Sequence, residues 1–334
     1  MDWSKGFSAS YFASVVDSQT WRDIDRFEIT SGSVKKTYSG LRVSADIETV
    51  NLDVSRELWV RVWAQIKQND TSVREPVFTG LATAPKTDMD GKRIEKTLEC
   101  YSVLKPAKDV NLDRGWYTPM GVSGAQIVKD LLSVSPAPIE VEDNSPQLSQ
   151  YIIAEANENR LSMAEKILSA INWRLRIKGD GTIQVCSPAS NYSQTFDALN
   201  NDCVEPQLKL ADDWYSCPNV FRATVGEDSA VAIDDSADSI LSTTVRGREV
   251  WAEENDCDLS DSESLQAYAE RRLKELQRHA MSLSYDRRYF PDIMPTDLIQ
   301  LHYPAQGIQG LFYVIGQTIT LGHGMRTSEE VLKI

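Results

Sequence analysis

Between Phe27 and Val103 apolar and polar residues alternate with a period of two, and turn-forming residues recur at short intervals. Strands of a small antiparallel sheet or barrel bury one face in this way. The clearest run is Leu58-Trp59-Val60-Arg61-Val62-Trp63, and turns fall at Ser31-Gly32-Ser33, Ser39-Gly40 and Asp90-Gly91. From Glu95 to Val103 the alternation returns: Leu98, Cys100 and Ser102 share one face, and Glu95, Thr97 and Glu99 share the other.

After Lys105-Pro106 the period changes. Ser123 caps a short helix whose apolar residues Ile127, Val128, Leu131 and Leu132 stand at helical spacing, and Pro136 and Pro138 stop it. Ser162-Met163-Ala164-Glu165 fits a capping box for a second helix carrying Ile167, Leu168 and Ile171. A hairpin follows directly. Trp173, Leu175 and Ile177 alternate with Arg174, Arg176 and Lys178, Gly179-Asp180-Gly181 turns the chain, and Ile183 and Val185 return. From about Asp202 the β character resumes through Pro218 to Val225, and the acidic stretch from Glu227 to Asp238 is expected as an exposed loop. Ser260 with Glu263 predicts a helix over 261–280, with Leu265, Tyr268, Ala269, Leu273, Leu276 and Ala280 as its buried stripe. Strands are expected again at Met281–Tyr285, Leu298–Tyr303, Leu311–Ile315 and Thr318–Leu321. The pattern predicts an α+β, mostly β chain in three parts: residues 1–106, an α/β insertion at 107–200, and 201–334 with the acidic loop and the helix.

Charge and cysteine usage narrow the function. A net charge of −14 argues against a groove that grips phosphates. Surplus acid normally serves solubility, but on the wall of a conduit it repels DNA over about a Debye length. Five scattered cysteines, with no C-x-x-C pair, give neither a disulfide framework nor a zinc site. No apolar run approaches the roughly 20 residues that span a bilayer, and the N-terminus has no secretory pattern, so no membrane partner is expected.

No catalytic, cofactor-binding or metal-binding residue can be nominated. Of the three histidines, His279 ends a helix, His302 lies in a strand and His323 in a turn, none in metal spacing. Asp88-Met89-Asp90-Gly91 fails as a calcium loop because Lys92 and Arg93 follow where a ligand and a glycine are needed, so it reads as a β-turn. Asp234-Asp235-Ser236-Ala237-Asp238 lacks the ligand alternation of such a loop. The Gly-rich and Ser-centred motifs of nucleotide and hydrolase chemistry are missing, and Trp59, Trp63 and Trp173 are expected in the core.

The run from Trp21-Arg22-Asp23-Ile24 to Ser33-Val34-Lys35-Lys36 resembles the opening of tail hub proteins of phages that infect Gram-positive bacteria. Phe78-Thr79-Gly80-Leu81-Ala82 looks like that family's strand and turn in the first barrel, and Arg160 to Val185 like its inserted helix and hairpin. Pro291 to Leu301 looks like the proline turn and strand of the last β section, with Thr296 where glycine is expected. The resemblance implies two tube-like antiparallel β-barrel domains, 1–106 and 201–334, flanking the insertion. It also implies a homotrimer whose six barrels adapt a sixfold tail tube to a threefold tip. The implied protein is a structural hub of a tail tip or baseplate, not an enzyme. It is assembled in the host bacterial cytoplasm and carried in the virion, with a channel for DNA and the tape-measure protein. Its implied partners are the tail tube or distal tail protein, the tip, spike or fibre protein, the tape-measure protein, and DNA only in transit. Larger relatives fuse a peptidoglycan-cleaving domain after the hub, for which a chain ending at Ile334 is expected to leave no room. The alternatives are a tail-associated cell-wall hydrolase, which needs a nucleophile or metal set, and a receptor-binding tail protein using exposed aromatics.

Overall fold

The computed structural model describes residues 1–50, 52, 56–91, 93–199 and 203–334. Lys92, Asp202 and the expected boundary after residue 200 lie outside the described residues. The fold is α+β and mostly β. Its first six strands are β1 (Ser8–Val16), β2 (Asp23–Thr37), β3 (Val43–Val50), β4 (Leu58–Gln68), β5 (Thr71–Asp90) and β6 (Arg93–Ser102). They pair antiparallel in the order β1-β4-β5-β6-β3-β2, and β2 pairs back onto β1, so this sheet closes on itself. Pro76 sits where the β4–β5 register shifts, a place that tolerates the missing N–H.

Val60, Val62, Ala64 and Ile66 of β4 fill the interior with Ala45, Ile47, Leu98 and Cys100. Trp59 and Trp63 point the other way and are only half-buried, and Trp173 is half-buried as well. This corrects their expected place in the core. The outward face of β4 carries these tryptophans beside Arg61 because neighbours partly cover it: Trp59 packs against Trp21 with ring centroids 5.6 Å apart, and Trp63 stacks on Phe12 of the adjoining β1.

The insertion comprises α1 (Lys105–Asp109), α2 (Gly124–Leu132), β7 (Ile139–Val141), α3 (Arg160–Ala170), β8 (Arg174–Ile177) and β9 (Ile183–Cys186), with a small sheet ordered β7-β9-β8. Ser123 caps α2 as expected. The α3 helix starts earlier than its expected Ser162 cap, because the Asn159 side chain accepts the Ser162 N–H at 2.9 Å and supplies the cap upstream.

The remaining β module contains β10 (Tyr192–Asp197), β11 (Val204–Asp212), β15 (Met281–Arg287), β16 (Leu298–Tyr303), β17 (Ile308–Thr320) and β18 (Thr327–Lys333), in the order β10-β16-β17-β18-β15-β11. Numbering each set of six strands along the chain gives the same spatial order twice, 1-4-5-6-3-2. The two sets differ at one pairing and one edge. β10 runs parallel to β16 where β1 is antiparallel to β4, and among the described residues β10 and β11 do not pair. Among the described residues, one of the expected pair of barrels is closed, and the other is a sheet of the same strand order whose two edge strands do not pair.

Between β11 and β15 a further α/β unit is built from β12 (Val220–Val225), β13 (Asp228–Ile233), α4 (Thr243–Arg246), β14 (Trp251–Glu254) and α5 (Leu265–Gln277). Its sheet is ordered β13-β12-β14, and its own core joins Phe221, Ala223 and Ala232 to Tyr268, Ala269 and Leu273. The acidic stretch expected as a loop thus begins as a strand, because Ala230 and Ala232 alternate toward α5 beneath the charges. The helix expected over 261–280 is shorter. Ser264, not Ser260, accepts the Ala267 N–H at its start, and residues 278–280 tighten into a 3-10 turn.

Candidate functional site at the module junction

The two β modules share a seam: residues 33–37 of β2 pair antiparallel with residues 316–320 of β17. Across it runs one row of facing residues, Lys36 of β2, Gln317 of β17, Glu329 of β18 and Tyr285 of β15. All four are buried. The Glu329 carboxylate accepts from Tyr285 Oη at 2.6 Å, Gln317 Nε2 at 2.7 Å and Arg287 Nε at 2.9 Å. Burial pushes the Glu329 carboxyl up, but the Arg287 charge and these donors outweigh it and hold it below the usual carboxylate range.

The insertion is fastened to both β modules. Its β8–β9 turn lies on the barrel wall: Thr79 Oγ1 donates to the Gly179 carbonyl at 2.8 Å, and Trp21 Nε1 and Arg61 Nη2 donate to the Asp180 carbonyl at 3.0 and 3.1 Å. Arg61 is itself buried and pairs with Asp23 at 2.6 Å. Toward the second module, Arg176 Nη2 donates to Asp297 Oδ2 at 2.8 Å and Arg174 Nη1 to the Thr296 carbonyl at 2.6 Å. Burial pushes the Asp297 carboxyl up against the pull of both arginines. The glycine expected at position 296 has a structural reason, since Thr296 holds φ +79°.

Acid is concentrated in one place. Residues 220–263 carry twelve acidic and three basic side chains, more than half of the chain's net charge of −14. The loop of this unit is held by Asn219, which is fully buried. Its Nδ2 donates to the Leu241 and Arg248 carbonyls, each at 3.0 Å, and its Oδ1 accepts the Val250 N–H at 2.7 Å. Asn219→Ala removes three hydrogen bonds and strands the buried Leu241 carbonyl at about 1–3 kcal/mol, while the partly buried Arg248 and Val250 groups cost less because water reaches them. The expected result is a loop over residues 234–250 cut several times faster by limited proteolysis; an unchanged rate would show that the strands alone hold it.

The histidines stand on three different elements: His279 in the turn after α5, His302 in β16 and His323 between β17 and β18. Among the described residues no three His, Cys, Asp or Glu side chains gather to hold a metal. Burial pushes the Cys100, Cys217 and Cys257 thiols up, which makes them poor nucleophiles. Asp234, Asp235 and Asp238 lie on the loop after β13. An exposed aromatic pair, Tyr117 and Tyr151, meets edge to face at 5.4 Å on the insertion, and Ile153 is exposed beside it.

The fold, with its closed six-stranded barrel, second sheet of the same strand order and inserted α/β module, is similar to that of solved phage tail proteins. The 43 kDa tail protein of prophage MuSo2 from Shewanella oneidensis matches with a TM-score of 0.66 at 12% identity, over 98% of both chains. A tail protein from Neisseria meningitidis MC58 matches with a TM-score of 0.68 at 15% identity, over 98% of this chain and 97% of that one. A third match is a component of the E. coli type VI secretion system that itself exhibits structural similarity to the T4 tail proteins gp27 and gp5, with a TM-score of 0.55 at 10% identity over 92% of this chain and 74% of that one. No protein-family model matches the sequence, and no curated protein is similar to it in sequence.

Proposed function

We propose that the chain is a structural hub subunit of a phage tail tip or baseplate. Three copies form a ring that adapts a sixfold tail tube to a threefold tip or spike and leaves a channel for DNA and the tape-measure protein. The observation that carries this reading is the strand order 1-4-5-6-3-2 occurring twice in one chain. Two similar modules in each of three subunits offer six similar faces to a sixfold partner, and closed rotational symmetry limits the assembly. The tail-protein fold supports the same reading along the whole chain. So does the paired and hydrogen-bonded seam, since a ring that bears load needs its two modules fixed to each other. The division into 1–106, 107–200 and 201–334 belongs to this reading, with the acidic unit carried by the last part.

Native mass measurement and negative-stain averages of the purified chain, alone and with the matching tube protein, test it. The expected result is a three-copy ring with a central hole that stacks on the tube. A chain that stays monomeric and ignores the tube would overturn the proposal and turn attention to cell-wall binding by the exposed tyrosines.

A further inference from the structure

A cleft of about 370 Å³ opens where the barrel, the insertion and the second β module meet. Lys36 of β2 and Glu75 of β5 line it from the barrel, Arg176 from β8, and Tyr289 and Asp292 from the segment after β15. Lys36 is 5% exposed and Tyr289 3% exposed. Among the described residues, neither the Lys36 amine nor the Tyr289 hydroxyl makes a hydrogen bond, and no carboxylate lies within 4 Å of the amine. Arg176 spends one nitrogen on Asp297 while its buried Nε has no partner. A nearly buried side chain that lines a concavity and leaves its amine or hydroxyl without a protein partner offers that group to a polar guest.

The charges say what kind of guest. Lys36, Arg176 and Lys178 line the cleft with Glu75, Asp180 and Asp292, but Lys178 already holds Glu140 at 2.7 Å and Arg176 holds Asp297 at 2.8 Å, which leaves Lys36 as the cation without a partner in contact. A simple anion would be drawn by the first three and repelled by the others, and a simple cation the reverse. Burial draws the Lys36 amine down to about 8, with Glu75 opposing and Arg287 and Arg176 adding to the fall. Burial likewise pushes the Glu75 carboxyl up. Both directions follow when charged groups leave water without a counter-ion in contact. Pro76, Pro291 and Met294 give the cleft an apolar side.

We propose that this cleft binds a small zwitterion of the free amino-acid class. The Lys36 amine, the Arg176 guanidinium and the Tyr289 hydroxyl take its carboxylate, and Glu75 and Asp292 take its ammonium. The volume lies in the range of small-molecule sites and holds an amino acid with its side chain toward the prolines. Because each module contributes, the guest also ties the three together, whether or not the chain forms a ring.

Calorimetric titration of the full chain with glycine, L-lysine and L-glutamate tests the site, with glycinamide and N-acetylglycine as analogues lacking one charge each. The expected result is saturable binding of at least one free amino acid, one per chain, with blocked analogues and Glu75→Gln each weaker by about tenfold. Lys36→Met is expected to abolish binding. Since Lys36 sits at the seam, the half-buried Glu75 supplies the variant least able to disturb folding, checked by an unchanged melting curve. No saturable heat with any of the three up to ~10 mM would overturn the proposal, as would equal binding of either blocked analogue or equal binding by Lys36→Met.

Discussion

Replacing Glu329 by alanine is expected to destabilise the fold by about 3–5 kcal/mol, the usual consequence of removing one partner from a buried ion pair. Both side chains of the Arg287–Glu329 pair are 0% exposed. Without the carboxylate, Arg287 keeps only the Arg288 carbonyl at 2.8 Å, and its guanidinium lies 5.7 Å from the ring centres of Phe196 and Phe290. The Tyr285 hydroxyl loses its acceptor, and Gln317 Nε2 is left with the Ile293 carbonyl at 3.1 Å. Glu329→Gln keeps the shape and one acceptor oxygen, so its loss is expected to be smaller. Urea denaturation followed by circular dichroism reads the difference. A Glu329→Ala variant as stable as the parent would mean that the pair only fixes geometry.

The same pair sets an acid limit. A carboxylate whose folded pKa lies below its unfolded value adds stability that is fully present above the unfolded value and is lost as pH falls through the folded one. Glu329 is depressed from 4.5 by Arg287 and its donors despite burial. The gap between the parent and Glu329→Gln is therefore expected to be constant from neutral pH down to about 4.5 and to close below it.

Much of this architecture is legible in the sequence, and the reason differs by element. Strand alternation shows which residues of β4 can be buried together, and Val60, Val62, Ala64 and Ile66 are. It cannot say that the opposite face, with Trp59 and Trp63, is also partly covered, because that depends on the insertion and on residues before β2. The seam is harder still. Glu329 carries a signal, standing in step with buried Thr327 and Val331 where an apolar residue is expected, but nothing local tells which distant strand brings the arginine. The helix starts differ from those expected because Asn159 and Ser264 cap as well as the serines that spacing alone favours. The twofold strand order has no sequence counterpart, since topology is preserved by the pattern of buried faces and not by residue identity. The junction cleft is invisible for the same reason: its groups come from three parts of the chain, with Lys36 and Asp292 more than 250 positions apart.

Gly179→Val is expected to lift the insertion off the barrel. A Cβ at Gly179 would stand 1.6 Å from the Pro76 carbonyl oxygen and 3.3 Å from the Val77 Cα, and backbone atoms cannot swing aside as a side-chain tip can. Seating the turn again requires moving either the β8–β9 turn or β5 at its bulge, and overpacking of this kind costs about 1–3 kcal/mol. The hydrogen bonds broken by such a movement are specific: Thr79 to the Gly179 carbonyl, and Trp21 and Arg61 to the Asp180 carbonyl. Arg61 then keeps Asp23, so the barrel itself is expected to stay closed while the docking surface opens. Hydrogen exchange separates these effects. Amides of residues 178–182 are expected to lose protection, those of β1 and β4 to keep it, and the indole of Trp21 to become accessible to a quencher. Gly6→Ala is the control, since nothing lies within 4 Å of its Cβ position. If Gly179→Val instead leaves every amide as protected as in the parent, the turn has another way to seat and the barrel wall is not what positions the insertion. If the variant also fails to join a ring that the parent forms, the docked insertion is part of the assembling surface, and the contact at residue 179 links folding of the subunit to assembly of the tail.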